Sequence, residues 1–240
     1  MKKVLITIVL SVFTLLIGIQ NTEALTVPLT FTKLSDLTGG SPQLTAVYRA
    51  SLSGLGLTNV ASINISDSNS GTGGASSQFS GFDLDAIKLA TSSVASATLV
   101  EALAGLAVFD FSTAGTTFMP GTQRPPPLPP LFGSLQLPDR VDEPVATLGN
   151  FDGNGTTAIP GAAGYISMGD GGKLLFNLTS LVPTTGLYLY IGEVGDNGEL
   201  AASTIEISDI PNGVVPEPAT MVLLGAGLLG LAGLRKKFKK

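Results

Sequence analysis

The chain has 240 residues, no cysteine, no histidine and a formal net charge of −5. The lack of histidine excludes a Ser-His-Asp triad, a histidine zinc site and the commonest general base, and leaves catalysis by paired carboxylates open. The lack of cysteine excludes disulfides. The acidic balance argues against binding nucleic acid or an anionic membrane through bulk charge.

The first 24 residues have the three parts of a secretory signal peptide. Met1-Lys2-Lys3 is a positively charged start, Val4 to Ile19 is an apolar core, and Thr22-Glu23-Ala24 supplies small residues for cleavage. We therefore predict a signal peptide over residues 1–24, with an uncleaved N-terminal anchor as the alternative. No twin arginine is present, which favours the Sec export machinery.

The part of the chain that follows is strongly acidic. Residues 25–215 hold six of the 13 basic residues and 16 of the 18 acidic ones, a net charge of −10. This length is enough for one sizeable hydrophobic core or two small ones. Acidic loops rich in glycine and asparagine fit an extracellular protein, including one that uses calcium.

Apolar and polar residues alternate with a period of two in many short segments of this body, as in half-buried strands. Turn residues separate the segments at intervals of about 8–12 residues. The pattern predicts an all-β fold, an antiparallel β-sandwich over residues 25–212. Residues 92–106 fit either a helical stripe or strand alternation. The predicted strands are 25–31, 44–52, 60–66, 79–89, 108–111, 146–150, 164–168, 173–178, 186–194 and 203–208.

The segment Phe79 to Leu89 is the most informative of these strands. Asp83 and Asp85 alternate with apolar residues up to Ala86, after which the apolar phase shifts by one residue. Such a shift predicts a β-bulge near Ala86. The two aspartates are either a solvated strand face or a pair of metal ligands.

Further oxygen donors lie in the turns. Asp152-Gly153-Asn154-Gly155 begins like a calcium loop, but Ala163 stands where an EF-hand needs glutamate, and an Asx turn is the alternative. We predict calcium as a candidate cofactor, since it prefers six to eight oxygen ligands. The candidate ligands are Asp83, Asp85, Asp152, Asn154 and Asp170.

Residues 124–131 contain Arg124-Pro125-Pro126-Pro127-Leu128-Pro129-Pro130. Such a run favours polyproline II and cannot form a central strand. We interpret it as a stiff surface connector, with a docking segment for an aromatic groove as the alternative.

The tail, residues 213–240, has three parts in a fixed order. Pro216, Glu217 and Pro218 come first, and the prolines predict exposed, extended backbone. Residues 219–234 are uncharged and as a helix would be about 24 Å long. They are predicted to form a single transmembrane helix, slightly shorter than usual. A basic cluster then favours a cytoplasmic end. It consists of Arg235, Lys236, Lys237, Lys239 and Lys240.

This tail closely resembles the PEP-CTERM sorting signal. The resemblance implies that the membrane enzyme exosortase cuts near Pro216-Glu217-Pro218. The alternative is a plain C-terminal membrane anchor. Parts of the body also look like jelly-roll domains of other proteins with this tail. These parts are Gly81 to Ile87, Ile166 to Gly172, Leu187-Tyr188-Leu189-Tyr190 and Glu193-Val194-Gly195. That likeness supports a jelly-roll-like sandwich and implies no activity.

The sequence thus predicts a non-enzymatic bacterial protein that is exported through an inner-membrane intermediate to the cell surface or extracellular matrix. The resemblance of the tail implies exosortase as a partner and an association with exopolysaccharide and biofilm. Two alternatives stay open: a calcium-dependent carbohydrate-binding module, and a polysaccharide hydrolase that uses paired carboxylates.

Overall fold

The structure, a computed structural model, describes residues 24–39, 44–71, 73, 75–136, 139–153 and 164–213. The sorting motif, the predicted transmembrane helix, the basic tail, Asn154 and nearly all of the predicted signal peptide lie outside these residues. Within the described part, no helix is long and apolar enough to cross a membrane.

Two five-stranded sheets hold most of the described strands, and the pairs of strands are antiparallel in both. The first sheet has the order β1-β12-β4-β10-β6. Its strands are β1 (Thr26–Pro28), β4 (Asn59–Ser66), β6 (Thr116–Met119), β10 (Lys173–Pro183) and β12 (Thr204–Ser208).

The second sheet has the order β2-β3-β11-β5-β9. Its strands are β2 (Thr32–Lys33), β3 (Thr45–Ser51), β5 (Asp83–Ala90), β9 (Ile166–Ser167) and β11 (Tyr188–Val194). The long strands β3, β11 and β5 lie next to one another, so β5 is an inner strand of this sheet.

Short elements complete the described part. A separate hairpin pairs β7 (Ser134–Gln136) with β8 (Asp139–Val141). The helices are single turns, α1 (Glu143–Ala146) and α2 (Glu199–Ala202), with 3₁₀ turns at Ser77–Phe79 and Ala97–Leu99. The predicted all-β, antiparallel class is therefore confirmed.

Both sheets contribute to one large hydrophobic cluster. Ile63 and Phe176 enter it from the first sheet, and Leu84, Leu89 and Ile191 enter it from the second. A smaller cluster, which includes Val47, Ala86, Phe151 and Tyr190, contains residues on the other side of the second sheet. Loops cover this side, so both faces of β5 are buried.

Two of the predicted strands, 108–111 and 146–150, do not form. Residues 108–111 are irregular, and the Val108 carbonyl accepts a single backbone hydrogen bond from Thr179 of β10, at 2.9 Å. Phe109 and Phe111 pack edge-on against Phe176, at 5.9 and 6.1 Å between ring centroids. The predicted strand 146–150 is wrong, since α1 ends there and turns follow. The ambiguous segment 92–106 contains only a 3₁₀ turn. The strands β2, β6, β7 and β8 were not predicted.

Candidate functional site

The predicted bulge in β5 is confirmed by the strand register. Ile191 of β11 pairs with Ile87, and Glu193 pairs with Leu84, so two residues of β5 face Gly192 alone. These two residues are Asp85 and Ala86. The bulge keeps Leu84 and Ile87 in the main core although they are three residues apart. Asp85 follows Leu84 and so lies on the second face of the sheet by ordinary alternation, and the bulge places Ala86 on that face as well, in the smaller cluster.

Asp85 is fully buried, with 0% of its surface exposed. Its Oδ2 accepts a hydrogen bond of 2.6 Å from Thr45 Oγ1. Gly192 leaves room for this pair, because an added Cβ there would lie 2.9 Å from Thr45 Cγ2 and 3.1 Å from Asp85 Cβ. The solvated strand face considered from the sequence is therefore wrong at Asp85.

Burial governs the acidity of Asp85. Loss of water raises its pKa to about 8, and the nearby carboxylates of Asp152 and Glu101 add to the shift. The hydroxyl of Thr45 and the amide of Gly153 oppose it, because they favour the ionised form. At neutral pH Asp85 is therefore mainly a neutral acid.

Asp83 lies in a second buried group on the same strand, with 5% of its surface exposed. Its Oδ1 accepts a hydrogen bond from Ser167 Oγ on β9. Its backbone N–H donates to Glu199 Oε2 at 2.8 Å, which ties β5 to α2. Burial and then the neighbouring Glu199 raise the pKa of Asp83 well above its usual range. Burial likewise raises the pKa of Glu199 to about 8.

Glu193 holds this second group together. It is fully buried on β11, and its carboxylate accepts three backbone N–H groups at the start of α2. Oε1 accepts from Gly198 at 2.7 Å and from Glu199 at 3.0 Å, and Oε2 accepts from Leu200 at 3.1 Å. Anions are stabilised at such a terminus because its first N–H groups lack helical partners. Burial and then Glu193 raise the pKa of Tyr48.

Sequence reasoning missed Glu193 as a member of this group, and it placed Glu199 only among the oxygen donors of the acidic loops. Glu193 is a charged residue inside the otherwise uncharged strand Leu187 to Val194, and that pattern was the available signal. Asp196-Asn197-Gly198-Glu199 reads as a simple turn, whereas Glu199 begins α2 in the structure.

The remaining candidate calcium ligands lie in different surroundings. Asp170 pairs with Arg124, whose Nε lies 3.2 Å from Asp170 Oδ1. The charge of Arg124 also acts on Asp83. Asp152 is half-buried and accepts a hydrogen bond of 3.2 Å from Thr147 Oγ1. In the described part of the chain, no group of three or more acidic residues has a metal-binding arrangement. Calcium binding stays a prediction.

A cleft on the described part of the chain lies elsewhere. It has a volume of about 480 Å³ and lies between the proline-rich loop and the β7–β8 hairpin, lined by Gln123, Pro127, Leu131 and Gln136 among others. Among the residues described, none of the buried carboxyl groups lines this cleft. The buried carboxyl groups therefore belong to the contacts between the second sheet and the elements that cover it, namely α2 and the loops.

Comparison with known proteins identifies a functional segment in the tail. Residues 214–237 match the PEP-CTERM protein-sorting motif. Comparisons with curated proteins and with solved structures give no significant match. The motif places the chain in the class of exported proteins that pass through a membrane-anchored sorting intermediate. More specifically, the chain carries a PEP-CTERM sorting signal, and exosortase is its processing partner.

Proposed function

We propose that this protein is a non-catalytic component of the bacterial cell surface or extracellular matrix, associated with exopolysaccharide. In this proposal the Sec machinery exports the chain, the signal peptide over residues 1–24 is removed, and exosortase processes it near Pro216-Glu217-Pro218. The observation that carries the proposal is the sorting motif at residues 214–237.

The body supports a structural role. We propose that the two sheets pack face to face as a jelly-roll-like β-sandwich, because side chains from both share one hydrophobic cluster. Sandwich domains of this kind are common in extracellular proteins, and the fold alone implies no activity.

The surroundings of the carboxyl groups favour a non-catalytic protein. A glycoside hydrolase places two carboxyls on either side of the scissile bond in a substrate cleft. Here Asp83, Asp85, Glu193 and Glu199 are buried, and each accepts hydrogen bonds from the protein itself. A polysaccharide cannot reach them without displacing α2 or the covering loops. The hydrolase alternative predicts turnover of polysaccharide substrates, and the carbohydrate-binding alternative predicts glycan binding that a chelator abolishes.

The proposal is tested in an exopolysaccharide-producing bacterium that has exosortase. The wild type is compared with a variant in which Pro216, Glu217 and Pro218 are replaced by alanine, and with Pro211→Ala as a control outside the motif. We expect the wild type and the control in the matrix fraction and the triple variant in the membrane fraction. Equal distribution of all three proteins would contradict sorting through the motif. Processing without retention by the exopolysaccharide would contradict only the proposed matrix association.

A further inference from the structure

The first residue after the predicted signal peptide lies beside a carboxylate. In the first sheet β1 pairs with β12, with Thr26 opposite Ser208. The next residues along this ladder are Leu25 and Asp209. The backbone nitrogen of Leu25 donates to Asp209 Oδ1 at 3.1 Å. The Asp209 side chain thus accepts the last hydrogen bond of this ladder, in the place where a backbone carbonyl would otherwise accept it.

Cleavage after Ala24 would change the chemistry of this nitrogen. Hydrolysis of the Ala24–Leu25 peptide bond adds the hydroxyl of water to the Ala24 carbonyl carbon and a proton to the Leu25 nitrogen. The free amine has an ordinary pKa of about 7.7–8.0, so near neutral pH it gains a further proton and becomes an ammonium. A neutral amide donor would thereby become a cation 3.1 Å from a carboxylate oxygen.

We propose that Asp209 is a preformed binding site for the mature N-terminus, so that removal of the signal peptide creates an ion pair that fixes β1 to β12. The proposal rests on the signal peptide in the proposed function.

The surroundings of Asp209 support this role. Its turn is fixed, since Ser208 Oγ accepts from the Ile210 N–H at 3.3 Å and Ser62 Oγ donates to the Ile210 carbonyl at 2.8 Å. The sequences 25–32 and 204–213 contain no lysine or arginine that would compete for the carboxylate.

The position of the pair gives it a structural consequence. β1 is a three-residue edge strand that pairs only with β12 among the described strands. Its terminal residue is the one that would fray first. A charge-assisted hydrogen bond is stronger than one between neutral groups, so the mature chain should hold this edge more firmly than the precursor does.

The test uses the full chain, exported with its own signal peptide and purified from the secreted fraction. N-terminal sequencing and intact mass establish the first residue. The pKa of the N-terminal amine is then measured from its rate of acylation against pH, in the wild type and in Asp209→Asn. The control is Glu206→Gln, which also removes one negative charge from β12. Residue 206 lies opposite Pro28 and not opposite Leu25.

We expect Leu25 as the first residue and an amine pKa about half a unit higher in the wild type and in Glu206→Gln than in Asp209→Asn. A second readout is the melting temperature. The folded-state pKa of the amine is raised, so the stabilisation is complete below the unfolded-state pKa and disappears as the pH rises through the folded-state value. The wild type should therefore melt above Asp209→Asn at pH 6, and this gap should close by about pH 10.

Two results would overturn the proposal, and they are distinguishable. A Leu25 N-terminus with the same amine pKa in the wild type and Asp209→Asn would refute the ion pair and leave export intact. An N-terminus at any other residue would refute the pair at its first step, and would also contradict the cleavage site assumed in the proposed function.

Discussion

Replacement of Asp85 by asparagine should remove a loss of stability that the wild type undergoes between pH 5 and pH 8. Asparagine keeps the shape of the neutral acid, can still accept the hydrogen bond from Thr45 and cannot ionise. Its amide nitrogen would face the Gly153 N–H, at a cost that is the same at every pH. The wild-type carboxyl is buried with a pKa of about 8, against an ordinary value of 3.8. Between these two values the unfolded chain is ionised while the folded chain still holds the proton.

The sign and the magnitude follow from that difference. Below about pH 4 both states are protonated and Asp85 has no effect on the pH dependence. As the pH rises towards 8, the folded state loses about 1.4 kcal/mol per pH unit relative to the unfolded state. From pH 5 to pH 8 this amounts to about 4 kcal/mol as an upper bound. For a domain of this size, such a loss lowers the melting temperature by roughly 10 °C.

The assay is thermal unfolding in EGTA at pH 5, 6, 7 and 8, for the wild type, Asp85→Asn and the exposed control Asp139→Asn. Asp83 and Glu199 also have raised pKa values, but both are present in every variant. Their contribution therefore cancels in the difference between Asp85→Asn and the wild type. That difference should grow with pH, while the difference for Asp139→Asn should stay constant. An Asp85→Asn difference that is the same at pH 5 and pH 8 would refute the assignment of a buried, protonated carboxyl.

Three further predictions concern the same region and the candidate metal. Glu193→Gln should lower the free energy of unfolding, measured by chemical denaturation, by about 1–3 kcal/mol, because the new amide nitrogen would face a backbone N–H donor. The control Glu206→Gln should leave the free energy of unfolding unchanged. Gly192→Ala should cost about 1–3 kcal/mol, because its Cβ would lie 2.9 Å from Thr45 Cγ2. Gly149→Ala is the control, since the nearest atom to its Cβ would be 3.8 Å away; equal losses in both variants would contradict the packing argument. If calcium binds, the melting temperature in millimolar calcium should be about 5–10 °C higher than in EGTA or in sodium chloride of matched ionic strength. Equal melting temperatures in all three conditions would contradict the calcium hypothesis.

The sequence predicted those parts of the body that depend on local pattern. Alternation with a period of two located β3, β4, β10, β11 and β12, and the shift in phase after Ala86 located the bulge. The same pattern misled at Phe109 and Phe111, where one-sided packing against Phe176 satisfies the apolar residues without a ladder. Alternation reports which side chains are buried and does not report whether the backbone has a strand partner.

The surroundings of the carboxyls could not be predicted from local pattern. Thr45 lies 40 residues from Asp85 along the chain, and Ser167 lies 84 residues from Asp83. The contact between Asp83 and Glu199 spans 116 residues. Such partners are set by the order of strands in the second sheet, and no single sequence window contains both members of a pair. The sorting tail is the opposite case, since its motif, apolar run and basic end are contiguous.

The most direct test of the central claim is the intact mass of the mature protein, measured in a native host with exosortase and in the same host without it. An exported and sorted protein should begin at Leu25 in both strains. It should lose residues Arg235–Lys240 only where exosortase is present, and remain as a membrane-bound precursor where it is absent. A protein found outside the cell with Arg235–Lys240 still attached would contradict the account.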